Sequence, residues 1–134
     1  MENNAPEISP DVADPTVEAM AYLGDAVVEL LVRERLVKKG LCDSSGLNRE
    51  AVKYVKATAQ SDAMERIFPM LTEEEQSLYR RGRNAGHGKN TPKSASVIEY
   101  RRATGFETVF GALWLKGETR RAKELIILAF PGLA

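Results

Sequence analysis

The sequence predicts an all-α fold of about six helices, and three observations support this prediction. Apolar residues recur at three- and four-residue spacing in the longer segments, whereas no segment alternates convincingly between apolar and polar residues as a half-buried strand would. Helix-capping residues and glycines separate these segments. The chain has 134 residues, of which 43% are apolar, and this is enough for one domain with a single core.

The first predicted helix is the longest and contains the most hydrophobic stretch of the chain. Asp14 followed by Pro15 is typical of an N-cap and a proline at the first helical position. The helix is expected to end near Gly40, where glycine favours a C-terminal turn. Its apolar positions at helical spacing are Val17, Met20, Ala21, Gly24, Val27, Val28 and Leu31.

Five further helices are predicted along the rest of the chain. The second covers about residues 48–57 and the third about residues 60–70. Thr72 and Glu75 have the spacing of a capping box and open a fourth helix, which ends around residues 82–84. A fifth helix, capped by Ser94 or Ser96, runs to residue 116, and Gly117 separates it from a last helix that ends near residue 130.

Composition narrows the class of protein and its compartment. Cys42 is the only cysteine and cannot form an internal disulfide, and no apolar run approaches the roughly 20 residues that span a bilayer. The acidic, polar start of the chain lacks the basic and apolar regions of a secretory signal, so a cytoplasmic location is expected. His87 is the only histidine, which disfavours a serine-histidine-aspartate triad or a histidine-ligated di-iron site.

A strongly basic segment lies within a chain of zero formal net charge. Residues 80–102 carry seven basic residues and one acidic residue, whereas residues 1–32 carry seven acidic residues and no basic one. Three glycines, two asparagines and a proline predict a loop at residues 82–92, which is either a phosphate-binding loop or merely a flexible, solvated connection. Because few aromatic residues are available for base stacking, the segment suits the backbone of a nucleic-acid duplex better than single-stranded bases. The candidate contacts are Arg80, Arg81, Arg83, Asn84, Lys89, Asn90, Lys93 and Arg101.

Two carboxylates lie beside glycines in apolar helical segments. Asp25 follows Gly24 directly, and Glu107 precedes Gly111 by one helical turn. A glycine inside a helix costs about 1 kcal/mol relative to alanine, so the two glycines predict a close helix crossing at which the two acids could converge. Converged carboxylates repel each other unless a proton or cation lies between them, and oxygen ligands completed by water and phosphate suit Mg²⁺. The alternative is that each acid reaches solvent or pairs with an arginine.

These motifs resemble those of the ribonuclease III family. Residues 22–27 are similar to the core of the family signature, and residues 104–113 are similar to its second acidic motif. Residues 80–85, 89–91 and 100–101 resemble more specifically Mini-ribonuclease III, the short class that has the catalytic domain but no appended double-stranded RNA-binding domain. The resemblance extends from about residue 15 to about residue 130.

The resemblance implies a flexible acidic N-terminus at residues 1–14 and a ribonuclease III-type catalytic domain at residues 15–134, acting as a homodimer. It implies Mg²⁺-dependent cleavage of double-stranded RNA that leaves 5′-phosphate and 3′-hydroxyl ends, with Asp25 and Glu107 as the catalytic and metal-binding residues. The substrate implied for the short class is precursor large-subunit (23S) ribosomal RNA, and a large-subunit ribosomal protein is a candidate partner.

The chain departs from the full-length ribonuclease III pattern at two acidic positions. It has Ala21 where that family has a glutamate and Thr104 where that family has an aspartate. The short class is similarly reduced, and Glu18 or Glu29 could contribute to the metal site through water. A catalytically inactive RNA-binding or ribosome-binding helical module is the alternative function, whereas a purely structural helical dimer leaves the basic segment unexplained.

Overall fold

A computed structural model describes residues 14–85 and 96–134, which form six α-helices and no strand. The all-α prediction is therefore confirmed. Within these ranges, no helix combines the length and the apolar composition that crossing a membrane requires. The helices are α1 (Val17–Lys38), α2 (Ser44–Val55), α3 (Ala57–Ile67), α4 (Glu73–Ala85), α5 (Val97–Leu115) and α6 (Thr119–Ala129), and short 3₁₀ turns follow α3 (Phe68–Met70) and α6 (Pro131–Leu133).

Helix α5 lies at the centre of the fold, packed against α1, α3, α4 and α6. Phe106, Val109 and Phe110 on this helix are completely buried. The ring of Phe106 packs against Phe110 and Phe130, with ring centroids 4.8 and 5.8 Å apart. Because neighbours surround α5, it is apolar on nearly every side, and a polar group on it can meet another helix instead of bulk water.

Two glycines allow α1 and α5 to cross in direct backbone contact. A Cβ atom on Gly24 would lie 1.7 Å from the backbone oxygen of Glu107, and a Cβ atom on Gly111 would lie 1.9 Å from the backbone oxygen of Met20. Neither distance leaves room for a side chain. The predicted crossing at these glycines is confirmed.

A second close crossing joins α4 to α5. A Cβ atom on Gly82 would lie 2.2 Å from the Thr108 hydroxyl, and one on Gly105 would lie 2.6 Å from the Tyr79 ring. The sequence predicts that α4 ends around residues 82–84, but the helix continues to Ala85. Gly82 therefore serves this packing contact and does not terminate the helix.

The starts of three helices differ from the sequence prediction or refine it. The N-cap of α1 is Thr16, whose hydroxyl accepts a hydrogen bond from the Ala19 N–H at 3.0 Å, so the prediction of Asp14 as the cap was wrong. Helix α2 begins earlier than predicted because Asp43 caps it. Of the two serines predicted to cap α5, Ser96 forms the capping box.

The ends of α1 and α5 follow the prediction from glycine. Gly40 and Gly117 have φ values of 96° and 75°, a left-handed conformation that glycine adopts without strain. The Leu41 N–H donates to the Leu36 carbonyl at 3.3 Å, and the Glu118 N–H donates to the Leu113 carbonyl at 2.9 Å, as in a Schellman turn. These turns direct α2 back against α1 and α6 back against α5.

Candidate active site

Asp25 and Glu107 meet where α1 crosses α5. Asp25 directly follows Gly24, and the Glu107 backbone touches that glycine, so the crossing sets the distance between the two residues. The Asp25 carboxylate is close enough to Glu107 to raise the pKa of its carboxyl group. Asp25 is exposed to solvent, whereas Glu107 is partly buried. The structure thus brings together the two acids that the sequence singles out, with one of them open to an incoming ligand.

Burial and the neighbouring acid both favour a protonated Glu107. Desolvation, followed by repulsion from the Asp25 carboxylate, raises the pKa of Glu107 to about 8. A hydrogen bond from Gln60 opposes this increase. At neutral pH the pair therefore retains a proton that a cation could replace.

A buried glutamine, which the sequence analysis did not identify, contacts the pair. Gln60 is only 1% exposed, and its Nε2 donates to the Val55 carbonyl at 3.0 Å and to Glu107 Oε2 at 3.3 Å. Its Oε1 is buried and has no hydrogen-bond partner among the described residues. The sequence does contain a signal for this residue. Gln60 occupies the first position of a helical pattern whose other members, Ala63, Met64 and Ile67, are apolar, so a polar side chain is expected to be buried there.

The residues at the crossing fit a hard divalent cation with few protein ligands. Within residues 14–85 and 96–134, no group of three or more histidine, cysteine, aspartate or glutamate side chains could hold a metal, so neither Glu18 nor Glu29 completes a direct three-ligand set with the pair. Glu29 instead pairs with Arg33 at 2.9 Å, and the Thr104 hydroxyl donates to the Tyr100 carbonyl at 3.0 Å. Two carboxylates that share a proton, one of them exposed to solvent, provide oxygen donors that suit Mg²⁺ completed by water and phosphate.

The arginine cluster of α4, formed by Arg80, Arg81 and Arg83, lies on the helix whose Gly82 packs against Thr108, the residue after Glu107. Arg80 and Arg81 are exposed, and Arg83 is partly buried. The Arg80 guanidinium lies 5.4 Å from the centroid of the Phe68 ring, and the Arg83 guanidinium lies 5.6 Å from that of Tyr79. Cation–π contacts of this kind restrict the arginine side chains without neutralising their charge.

A basic cleft extends this surface between the end of α4 and the start of α5. The cleft has a volume of about 240 Å³ and is lined by Arg83, Asn84, Ile98, Arg101 and Arg102. It brings together three of the predicted nucleic-acid contacts from two different helices. The remaining predicted contacts, Lys89, Asn90 and Lys93, lie outside the described residues.

The basic cleft and the carboxylate pair are close along α5. Arg101 precedes Glu107 by six residues, a rise of about 9 Å along the helix axis. Gly82, which follows Arg81 in the arginine cluster, packs against Thr108, the residue after Glu107. The α4–α5 crossing therefore holds positive charge within about two helical turns of the two acids.

Known proteins resemble this chain in both sequence and structure. Residues 18–118 match the family model of the Ribonuclease III domain, and this range contains both acids and the arginine cluster. A Mini-ribonuclease 3 from Symbiobacterium thermophilum is 49% identical over 108 residues, covering 80% of this chain and 82% of that protein. A Mini-ribonuclease 3 from Brevibacillus brevis is 40% identical over 121 residues, covering 90% of this chain and 88% of that protein. A crystal structure of a protein from Fusobacterium nucleatum matches with a TM-score of 0.80 and 31% identity, covering 94% of this chain and all of that one.

Proposed function

Because the chain belongs to the ribonuclease III family and is an endoribonuclease of the Mini-ribonuclease 3 type, we propose that it cleaves double-stranded RNA with Mg²⁺ bound by Asp25 and Glu107. The observation that carries this proposal is the α1–α5 crossing at Gly24 and Glu107, which brings Asp25 close enough to raise the pKa of Glu107. A single exposed acid would serve solubility, whereas two neighbouring acids, one of them partly buried, favour a proton or a cation between them.

The two acids have different roles in the proposed reaction because their environments differ. When bound, Mg²⁺ supplies Lewis-acid stabilisation of the scissile phosphate and activation of a water molecule. Asp25, which is exposed, faces the solvent from which the RNA arrives. Glu107, which accepts a hydrogen bond from Gln60, would give up its proton to solvent in order to hold the cation. A water oxygen bonds to phosphorus while the bond to the 3′-oxygen breaks, and a proton passes to that oxygen, leaving 5′-phosphate and 3′-hydroxyl ends.

The arginine cluster of α4 and the cleft beside it are proposed to bind the phosphate backbone of the duplex. Arg101 of the cleft precedes Glu107 by six residues on α5, and Gly82 of α4 packs against Thr108, which supports binding of one strand by both sites. A wide minor groove and its 2′-hydroxyl groups distinguish an RNA duplex from a DNA duplex by shape. Contacts with the backbone alone therefore suffice for the proposed substrate, and no set of base-reading side chains is needed.

The exposed face of α1 supports the proposal of a homodimer. Tyr22, Leu30 and Val37 are 84%, 51% and 58% exposed, and they fall within about 80° of one another around the helix. A two-fold interface covers the same apolar patch on both subunits, so this face suits a second copy of the chain. Sedimentation should give a mass twice the 14.8 kDa of the chain, and Leu30→Arg should reduce it to that of the monomer. A wild-type mass of 14.8 kDa at micromolar concentration would contradict the dimer.

The proposed biological substrate is a stem in precursor 23S ribosomal RNA, cleaved in the cytoplasm, and the proposed protein partner is a large-subunit ribosomal protein that binds the same stem. The support for both is the resemblance to the short class of ribonuclease III. Cleavage of the precursor at discrete positions, compared with and without large-subunit proteins, tests this part of the proposal. Random degradation of the precursor under both conditions would argue against it.

A cleavage assay on defined duplexes tests the catalytic proposal directly. A labelled perfect RNA duplex and a DNA duplex of matched sequence are incubated with the wild type, Asp25→Asn or Glu107→Gln, in Mg²⁺ and in EDTA. We expect cleavage of RNA alone, only in Mg²⁺, with both variants inactive but still able to bind RNA. Full activity in either variant would remove that residue from the site. Binding without cleavage under any divalent cation would instead support the inactive RNA-binding module.

A further inference from the structure

We propose that Gln60 is a positioning residue that holds the Glu107 carboxylate in the orientation required for cation binding. This inference rests on the proposed function, since it concerns the same pair of acids. Gln60 comes from α3, a helix that contributes no acid to the pair. It would act through Glu107 and would not touch the RNA.

The hydrogen bonds of Gln60 connect a rigid part of the backbone to one carboxylate oxygen. A primary amide nitrogen has two N–H donors, and in Gln60 one goes to the Val55 carbonyl and the other to Glu107 Oε2. Val55 ends α2 and α3 begins at Ala57, so the amide is anchored at the α2–α3 junction. Rotation of the Glu107 carboxyl would break the second bond, and Oε2 is therefore held in one direction.

The burial of Gln60 argues against a purely packing role. A buried polar group destabilises a fold unless it is hydrogen-bonded, and Gln60 lies on the buried face of α3 beside Met64 and Ile67. Its Oε1 has no partner among the described residues, although it belongs to the same amide that contacts Glu107. An apolar side chain would fill this position without that cost. The amide is therefore better explained by its hydrogen bond to Glu107 than by packing.

Gln76 is a matched control within the same chain. It is partly buried, less deeply than Gln60, and its Nε2 donates to the backbone carbonyls of Phe68 and Leu71 at 3.2 and 3.4 Å. Neither acceptor belongs to a carboxylate. Replacing Gln76 with methionine therefore removes a partly buried amide with two carbonyl contacts and leaves the acid pair unchanged.

The experiment compares Gln60→Met with Gln76→Met in binding of Mn²⁺, measured by electron paramagnetic resonance without RNA, and in cleavage of an RNA duplex. We expect Gln60→Met to bind Mn²⁺ about 10- to 100-fold more weakly, as is typical when a group that orients a metal ligand is removed. Its kcat at fixed Mg²⁺ should fall and should recover in part as Mg²⁺ is raised, with KM for RNA changed less than about twofold. Gln76→Met should retain wild-type Mn²⁺ affinity.

The outcomes separate this inference from the proposed function. Wild-type Mn²⁺ affinity in folded Gln60→Met, or an equal loss in Gln76→Met, would overturn the role of Gln60 and leave the acid pair intact. No Mn²⁺ binding by the wild type, or wild-type affinity in Asp25→Asn, would overturn the proposed metal site and this inference with it.

A measurement on the unmodified protein covers the case in which Gln60→Met does not fold. The side-chain amide resonances of Gln60 in a ¹H–¹⁵N spectrum of the wild type should shift on addition of Mg²⁺, and those of Gln76 should not. The shift should be absent in Asp25→Asn. Gln60 amide resonances that do not respond to Mg²⁺ would overturn the proposal.

Discussion

In the absence of metal, the protein should lose stability as the pH rises from 5 to 9, and Glu107 should be the cause. The pKa of Glu107 is about 8 in the folded protein against an ordinary value of 4.5, so between these values the folded state holds a proton that the unfolded state has lost. The free energy of unfolding therefore falls with increasing pH across this window. A difference of about 3.5 pKa units at about 1.4 kcal/mol per unit sets an upper bound of about 5 kcal/mol. Because Asp25 opens the pair to solvent, a loss of about 2–4 kcal/mol is expected.

Urea unfolding followed by circular dichroism in EDTA at pH 5, 7 and 9 measures this loss. Glu107→Gln has no proton to release, so its free energy of unfolding should depend less on pH, and it should be more stable than the wild type at pH 9. Asp25→Asn removes the repulsion between the acids and should give an intermediate profile. Mg²⁺ at pH 8 should stabilise the wild type, because it binds the folded state and replaces the proton.

Above pH 5, Glu75 does not contribute to the pH dependence of the free energy of unfolding. The Arg121 guanidinium holds the pKa of Glu75 below its ordinary value, so Glu75 remains ionised in both the folded and the unfolded state throughout this window. Parallel pH profiles for the wild type and Glu107→Gln would refute the reasoning, because they would mean that burial does not perturb Glu107.

Three further perturbations test other parts of the structure. Gly24→Ala places a Cβ atom 1.7 Å from the Glu107 backbone oxygen, so we expect a net loss of about 1–3 kcal/mol in thermal unfolding together with loss of cleavage, because the helices must separate. An unchanged melting temperature would show that the crossing can relax. Glu75→Gln removes the buried carboxylate of an ion pair whose Arg121 side chain is 26% exposed, and chemical denaturation should show a loss of about 1–3 kcal/mol, larger than that of the exposed control Glu74→Gln. In the wild type the Glu75 contribution should begin to fall near pH 4.5, where the unfolded chain takes up a proton, and should disappear below the lower pKa that Glu75 has in the folded state. Alanine at all three positions of the arginine cluster of α4 should weaken RNA binding. The slope of log K against log salt concentration, measured by filter binding, should flatten by up to about three units. An unaltered slope would contradict the proposed phosphate contacts.

Local pattern was sufficient to predict the fold class and the two acids. Helical spacing and glycine at helix ends depend on neighbouring residues, so the ends of α1 and α5 at Gly40 and Gly117 could be predicted directly. The crossing that brings Asp25 near Glu107 was also predictable, because a glycine inside each apolar helix signals a close approach. The error at the start of α1 has a local cause too, since Thr16 and Asp14 are both good N-caps and the sequence pattern does not choose between them.

The polar environment of the site depends on contacts between residues far apart in the chain. Gln60 meets Glu107 across 47 positions and Glu75 meets Arg121 across 46, and no periodicity or capping rule relates such residues. The pKa of Glu107 likewise depends on how much water the packed helices exclude from its carboxyl group, and a sequence motif does not contain that quantity. Desolvation and hydrogen bonding depend on the residues that surround a group in the folded protein, so they are determined only when the helices have packed.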